Sequence, residues 1–227
     1  LPASKAMPKE MFPIVDKPAI QYIIEEAVAS GINDIIIVTG RGKRAIEDHF
    51  DKCLELNHVL KEKEKNELIG ELERIENLAD IHYIRQKESL GLGHAILCAK
   101  KHIGNEPFAV MLGDDLVLSK KPCLKCLIDI FKLHNKSVIA VSELPTEQLH
   151  KYGIISYQNI NNGLFIKDII EKPRTKDAPS NLAILGRYVL KPEIFDILEK
   201  IPYGKGKELQ LTDGLKILSD KDGMIAH

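Results

Sequence analysis

No stretch of the chain stays apolar for the roughly 20 residues that a membrane-spanning helix needs, so the sequence offers no transmembrane segment. There is no excess of either charge: 32 Lys and Arg stand against 33 Asp and Glu, a net charge of -1. Nothing basic therefore argues for nucleic acid or an anionic membrane surface as a partner. Cysteine is sparse, with only Cys53, Cys98, Cys123 and Cys126. A disulfide framework is not expected in a chain of this size, and a reducing cytoplasm is the default compartment. Cys123-Leu-Lys-Cys126 has the C-x-x-C spacing of redox and zinc motifs, but no second ligand pair accompanies it. Its thiols read as helix-surface residues. No leader-like segment opens the chain, and its first residue is Leu1 rather than Met, so the natural N-terminus is expected upstream.

What is present is material for a core. Hydrophobic residues make up 44% and charged residues 29% of 227 positions, which fits a soluble globular protein of one large domain or two small ones. Phe108 to Leu112 is an apolar run read as a fully buried strand inside a parallel sheet. It ends in Gly113-Asp114-Asp115. Ligands of open α/β sheets bind at the carboxyl ends of strands, so an acid there is either a ligand for a hard cation such as Mg²⁺ or a solubilising turn.

Around this strand, helical and strand patterns alternate. Ile20, Ile23, Ile24, Ala27 and Val28 recur at helical spacing, with Asp16 as a candidate cap, and Gly31 stops the helix. Ile35–Thr39 and Ile81–Arg85 read as strands, and residues 43–77 as a charged helical tract. A helix from Pro122 to Leu133 and a strand at Ser137–Val141 follow. This order implies a mostly parallel sheet covered on both faces. Past residue 143 two strands flank Asn161-Asn162-Gly163, a hairpin signal. The second ends in Glu171-Lys172-Pro173, where Pro173 is expected to hold Lys172 extended, with the two charges on opposite faces. Another strand is read at Leu182–Leu190, a short helix from Pro192, and a helix from Glu208 to Leu218.

Two glycine loops differ in promise. Gly40-Arg-Gly42-Lys-Arg-Ala45 matches a loose dinucleotide pattern but lacks the acid expected about 20 residues on. Gly91-Leu-Gly93 opens a helix, where free N–H groups favour anions or ring carbonyls. Gln86 before it carries the donor and acceptor that complement the edge of uracil. Upstream, four prolines stiffen residues 1–18, and Lys5, Lys9 and Lys17 sit on that frame as candidate phosphate contacts.

The ordered set resembles a known family. It comprises Leu1-Pro-Ala-Ser-Lys-Ala-Met-Pro-Lys-Glu-Met-Phe-Pro-Ile-Val-Asp-Lys-Pro18, Arg85-Gln86 with Gly91-Leu-Gly-His-Ala95, Leu112-Gly-Asp-Asp115 and Lys151-Tyr-Gly153. It continues with Glu171-Lys-Pro173, Ala178-Pro-Ser-Asn-Leu-Ala183, Gly186-Arg-Tyr188 and Gln210-Leu-Thr-Asp213. These resemble the bacterial UTP–glucose-1-phosphate uridylyltransferases (UDP-glucose pyrophosphorylases) among the sugar-phosphate nucleotidyltransferases, over essentially the whole chain. The resemblance implies an α/β Rossmann-like nucleotidyltransferase fold. It has a mixed, mostly parallel central sheet flanked by helices and a smaller β-rich sugar-binding part. A single domain is expected, with residues 1–142 serving the nucleotide and 143–227 the sugar. The implied reaction joins UTP and glucose 1-phosphate into UDP-glucose and pyrophosphate in a cytoplasmic homo-oligomer. By motif, Lys9 and Lys172 would bind phosphates, and Glu10, Gln86 and Gly91 the uracil. Asp114 would bind Mg²⁺, with Lys9, Lys172 and Asp114 forming the catalytic set. Gly153, Glu171 and Asn181 would face the glucose, with Lys172 beside them. The family's N-terminal strand and G-x-G-T-R loop are expected before Leu1 and its C-terminal continuation after His227. A protein truly starting at Leu1 is expected to be nearly inactive. The alternatives are a thymidylyl- or other sugar-phosphate nucleotidyltransferase, a weak sugar-nucleotide binder, and, from Gly40-Arg-Gly42 alone, a nicotinamide enzyme.

Overall fold

The computed structural model describes residues 4–160 and 163–227, so Leu1 to Ala3 and the expected turn residues Asn161 and Asn162 lie outside the described residues. The chain forms two compact units that divide after Lys87.

In the first unit, a single 3-10 turn at Lys9–Met11 precedes a two-strand ribbon, β1 (Pro13–Ile14) and β2 (Lys17–Pro18). Pro13 and Pro18 pair with each other in this short ribbon, a setting in which a missing N–H is tolerated. Asp16 sits in the turn between the strands and does not cap the next helix, whose N-cap is Pro18 with no side-chain hydrogen bond. Helix α1 (Ala19–Ala29) buries Ile20, Ile23, Ile24 and Ala27, the expected stripe. Strands β3 (Asp34–Thr39) and β4 (Asp80–Arg85) pair in parallel. Between them the expected helical tract is three helices, α2 (Arg44–Phe50), α3 (Leu54–Glu62) and α4 (Asn66–Glu76). The run Lys61–Glu67 carries no apolar side chain to hold a helical face down, and the chain turns there through Glu64 at φ 56°. Ile20, Ile24, Ile46 and Phe50 form this unit's core, with Ile35 and Ile37 packed against it.

The second unit contains α5 (Leu92–Ile103), β5 (Phe108–Met111), α6 (Cys123–His134), β6 (Ser137–Glu143), β7 (Gly153–Ile160) and β8 (Gly163–Glu171). It ends with β9 (Leu182–Leu190), α7 (Glu193–Leu198), α8 (Leu211–Asp222) and β10 (Met224–Ala226). One six-stranded sheet runs β5-β9-β6-β10-β8-β7, and β7 also pairs with β9. The sheet is mixed and flanked by helices, as expected for an α/β protein. Its parallel content is lower than expected, because only β6–β10 pairs in parallel and the other pairings are antiparallel. The cause is β9, which returns from late in the chain and lies between β5 and β6, antiparallel to both. Strand β5 is therefore a half-buried edge strand among the described residues, not the fully buried central one expected. Strand β9 takes the central place, with eight of its nine residues buried. Because β9 and β10 interleave with β5 and β6, the stretch after residue 143 is no separate body. The compact units divide after Lys87, and no break in the sheet falls at the expected 142/143 boundary.

Helix α8 starts at Leu211, three residues later than expected. The Leu209 N–H donates to the Leu90 carbonyl at 2.7 Å and the Leu209 carbonyl accepts from the Gly93 N–H at 2.9 Å. That pairing holds the segment extended.

Candidate active site

The two aspartates after β5 have separate surroundings. Asp115 is half-buried, and its Oδ2 accepts the Gly186 backbone N–H of β9 at 2.7 Å. It ties the end of β5 to the centre of the sheet, together with the Leu112 N–H, which donates to the Gly186 carbonyl at 2.9 Å. Asp114, one residue earlier in the turn, is exposed. Asp115 thus fastens the turn to β9, and Asp114 stands at the carboxyl end of the strand, where ligands of such sheets bind.

Three of the expected sugar residues meet through β7, β8 and β9. Gly153 is the register partner of Glu171, and Ile154 pairs with Ala183 just past Asn181. Asn181 is exposed. Its carbonyl accepts the Leu144 N–H at 3.0 Å, and the neighbouring Ser180 hydroxyl donates to the Ile155 carbonyl at 2.6 Å. A Cβ at position 153 would lie 3.1 Å from Thr212 Cγ2 and 3.3 Å from Glu171 Oε2. Thr212 is a residue the sequence reading passed over: its hydroxyl is buried with no hydrogen-bond partner among the described residues. Tyr188 lies deeper in β9. Burial pushes its hydroxyl pKa up, and the carboxylates of Glu171 and Asp115 push it further the same way.

Lys172 departs from expectation. Strand β8 ends at Glu171, and Lys172 adopts the left-handed conformation at φ 45° rather than the extended one that a following proline favours. Its N–H donates to the Tyr152 carbonyl at 3.0 Å, which fixes the turn. Instead of pointing away from Glu171, its ammonium lies 3.6 Å from Glu171 Oε1, with the lysine side chain 62% exposed. A non-glycine residue in this region costs about 1–2 kcal/mol.

Gly91 holds φ 94°, and a Cβ there would lie 2.8 Å from the Leu209 carbonyl oxygen and 2.9 Å from Glu208 Cβ. At Gly93 the same oxygen would again be 2.8 Å away. Both glycines admit another stretch of this chain, a close approach the sequence reading had reserved for a ligand.

In the first unit, Lys9 is exposed and Glu10 is buried on the 3-10 turn. Glu10 Oε1 accepts from Lys43 Nζ at 2.5 Å, while Oε2 is buried without a partner among the described residues. Gln86 follows β4, half-buried, and its N–H donates to the Thr39 carbonyl at 2.8 Å. Lys17 is taken out of the phosphate candidates. Its ammonium bonds both oxygens of Glu25, at 3.0 and 2.8 Å, and lies 5.1 Å from the Tyr22 ring centre. Lys43 was missed because its loop fails the dinucleotide test; nothing local signals a carboxylate partner 33 positions away.

All four cysteines are free thiols. Among the described residues no group of three or more His, Cys, Asp or Glu could hold a metal by itself. Mg²⁺ is commonly held by one or two carboxylates with substrate phosphates completing the shell. Asp114 fits as the protein's contribution.

The family described as Nucleotidyl transferase matches residues 1–226. A UTP–glucose-1-phosphate uridylyltransferase of Bacillus subtilis (strain 168) is 56% identical over 228 residues, covering 100% of this chain and 78% of that protein. A solved UDP-glucose pyrophosphorylase complexed with UDP-glucose is 43% identical with a TM-score of 0.88, covering 100% of this chain and 84% of that one. A UTP-bound enzyme from Acinetobacter baumannii is 40% identical with a TM-score of 0.91, covering 100% and 80%. Members of the family typically use a divalent metal. A match of this identity along the whole chain, on a shared fold, means that the chain belongs to the nucleotidyl transferase family, among its UTP–glucose-1-phosphate uridylyltransferases.

Proposed function

We propose that this protein transfers a uridylyl group from UTP to glucose 1-phosphate, giving UDP-glucose and pyrophosphate. The observation that carries this is the 56% identity, across all of this chain, with an enzyme named for that reaction. A phosphate oxygen of the sugar attacks the α-phosphorus of UTP, and the bond to the bridging oxygen of pyrophosphate breaks on the opposite side. Both reactants are anions, so bringing them together is chiefly an electrostatic problem. Lys172, exposed at the end of β8, meets the sugar phosphate, and Lys9 the triphosphate. Mg²⁺ held by Asp114 would supply further positive charge to the phosphates when bound. No side chain is needed as nucleophile.

The sugar is oriented by Glu171, whose carboxylate accepts from hydroxyls, with Asn181 beside the start of β9. Gly153 leaves room next to Glu171. The base is read by Gln86, which offers a donor and an acceptor, and by Glu10, whose Oε2 is a buried acceptor suited to the uracil N3–H. A reducing cytoplasm is the compartment expected of a chain with few cysteines and no disulfide framework, and no described helix is long and apolar enough to cross a membrane. Self-association follows the family habit and is read by light scattering.

The test is pyrophosphate release by the full-length protein with glucose 1-phosphate and Mg²⁺, comparing UTP with dTTP and adding a chelator. Release that prefers UTP and stops with the chelator is expected. Binding of UDP-glucose without any release would overturn the reading.

A further inference from the structure

The segment Thr39-Gly-Arg-Gly-Lys43 carries no role in the proposed reaction, yet it touches two of the residues assigned to the base. At its start, the buried Thr39 accepts the Gln86 N–H through its carbonyl. At its end, Lys43 reaches Glu10 Oε1 with its ammonium at 2.5 Å. Lys43 is one-third exposed, while the Glu10 side chain is only 11% exposed. A buried carboxylate is costly unless it is paired, and Lys43 is the ion-pair partner Glu10 has among the described residues. The loop is therefore no phosphate cradle: its lysine is turned back onto an acid. We infer that Lys43 is a positioning residue that holds the Glu10 carboxylate by Oε1, so that Oε2 is presented to a base carrying an N–H at position 3. The device selects uracil over cytosine, because cytosine has an acceptor at N3 and would oppose a fixed carboxylate oxygen. This rests on the assignment of Glu10 to the base.

The test is a mutant cycle on the full-length enzyme, reading kcat and KM with UTP and with CTP. Losing one charge-assisted hydrogen bond's worth of orientation corresponds to about a tenfold change. Lys43→Met should raise KM for UTP about tenfold while kcat moves little. It should leave kcat/KM for CTP unchanged or raise it, because the oxygen that opposes the cytosine N3 is no longer held, so the UTP-to-CTP ratio falls. Lys43→Arg should recover most of the ratio. In a Glu10→Gln background, Lys43→Met should change KM for UTP by less than about twofold, since its effect passes through Glu10. Thermal melts identify variants that fail to fold, and Lys43→Gln, neutral but still a donor, serves if Lys43→Met does. Equal losses for UTP and CTP, or an undiminished Lys43→Met effect in the Glu10→Gln background, would overturn the inference. If Glu10→Gln itself leaves the UTP-to-CTP ratio intact, the base assignment falls and takes the inference with it. A ratio lowered by Glu10→Gln but not by Lys43→Met removes Lys43 alone.

Discussion

Replacing Gly91 by Ala separates two reasons for a glycine at the start of α5. At φ 94° and ψ 173° the backbone lies in a region that is essentially glycine-only, where a side chain costs about 1–3 kcal/mol. The new methyl would lie 2.8 Å from the Leu209 oxygen and 2.9 Å from the Leu209 nitrogen. Those are backbone atoms and cannot rotate aside, so the Glu208–Leu209 segment must retreat. Retreat breaks the bonds from Leu209 to Leu90 and from Gly93 to Leu209, each contributing about 1 kcal/mol. The total is roughly 3–5 kcal/mol, a large share of a typical domain stability of about 5–15 kcal/mol. Urea denaturation followed by circular dichroism reads it, with Gly40→Ala as control. At Gly40 nothing lies within 4 Å of an added Cβ, so that variant should be neutral or gain up to about 1 kcal/mol. The segment that moves leads directly into α8 and Thr212, so KM for glucose 1-phosphate should also rise. If Gly91→Ala keeps its stability within about 1 kcal/mol and loses only nucleotide affinity, the glycine is there for the ligand and the packing argument is wrong.

Lys172→Gly relieves the left-handed backbone at a gain of about 1–2 kcal/mol, offset by about 0.5–1 kcal/mol of added chain entropy. The melting temperature should hold or rise while kcat/KM falls about a hundredfold; a clear drop in melting temperature would contradict the strain. Asp114→Ala should cut the rate about a hundredfold or more. Asp115→Ala should cost about 1–3 kcal/mol of stability, because the Gly186 N–H loses its acceptor, and a urea denaturation curve reads it. Thr212→Val removes a buried hydroxyl that has no partner among the described residues, so stability should not fall. KM for glucose 1-phosphate, measured at saturating UTP, should rise if that hydroxyl meets the sugar.

Elements whose pattern is local were legible in the sequence. The stripe of α1, the parallel pair β3 and β4, the β7–β8 hairpin and the helix opening after Pro122 follow from spacing and from turn residues. The sheet order was not, because an apolar pentapeptide such as Phe108–Leu112 reads the same at the edge as in the centre. What decides its place is β9, about eighty positions later, which pairs with both β5 and β6. The charged run Lys61–Glu67 fits a helical face as well as a turn, and only the absence of anything to bury tips it to a turn. The pre-proline rule failed at Lys172 because the Tyr152 carbonyl captures its N–H and closes a tighter turn.

For the candidate site, residue types were legible but the division of labour was not. Asp114 and Asp115 carry the same side chain, and what distinguishes them is Gly186, a backbone N–H 71 positions away from Asp115. Glycine was the most ambiguous letter of all. A missing Cβ leaves room for a ligand or for another part of the same chain, and the sequence cannot say which. At Gly91 and Gly93 the room is filled by Leu209, and at Gly186 by Leu112 and Asp115, whose Cβ atoms would lie 2.7 and 3.1 Å from a Cβ there. These three glycines fasten segments together, so any effect they have on catalysis passes through the placing of Thr212 and the Asp114 turn. Gly153 differs, because its tightest neighbours include Thr212 Cγ2 at 3.1 Å and the Glu171 carboxylate at 3.3 Å, the groups set beside the proposed sugar site. A Gly153→Ala methyl would press first on Thr212 Cγ2 and next on the Glu171 carboxylate assigned to the sugar. Of the four, it is the glycine whose replacement should damage sugar recognition before it damages the fold.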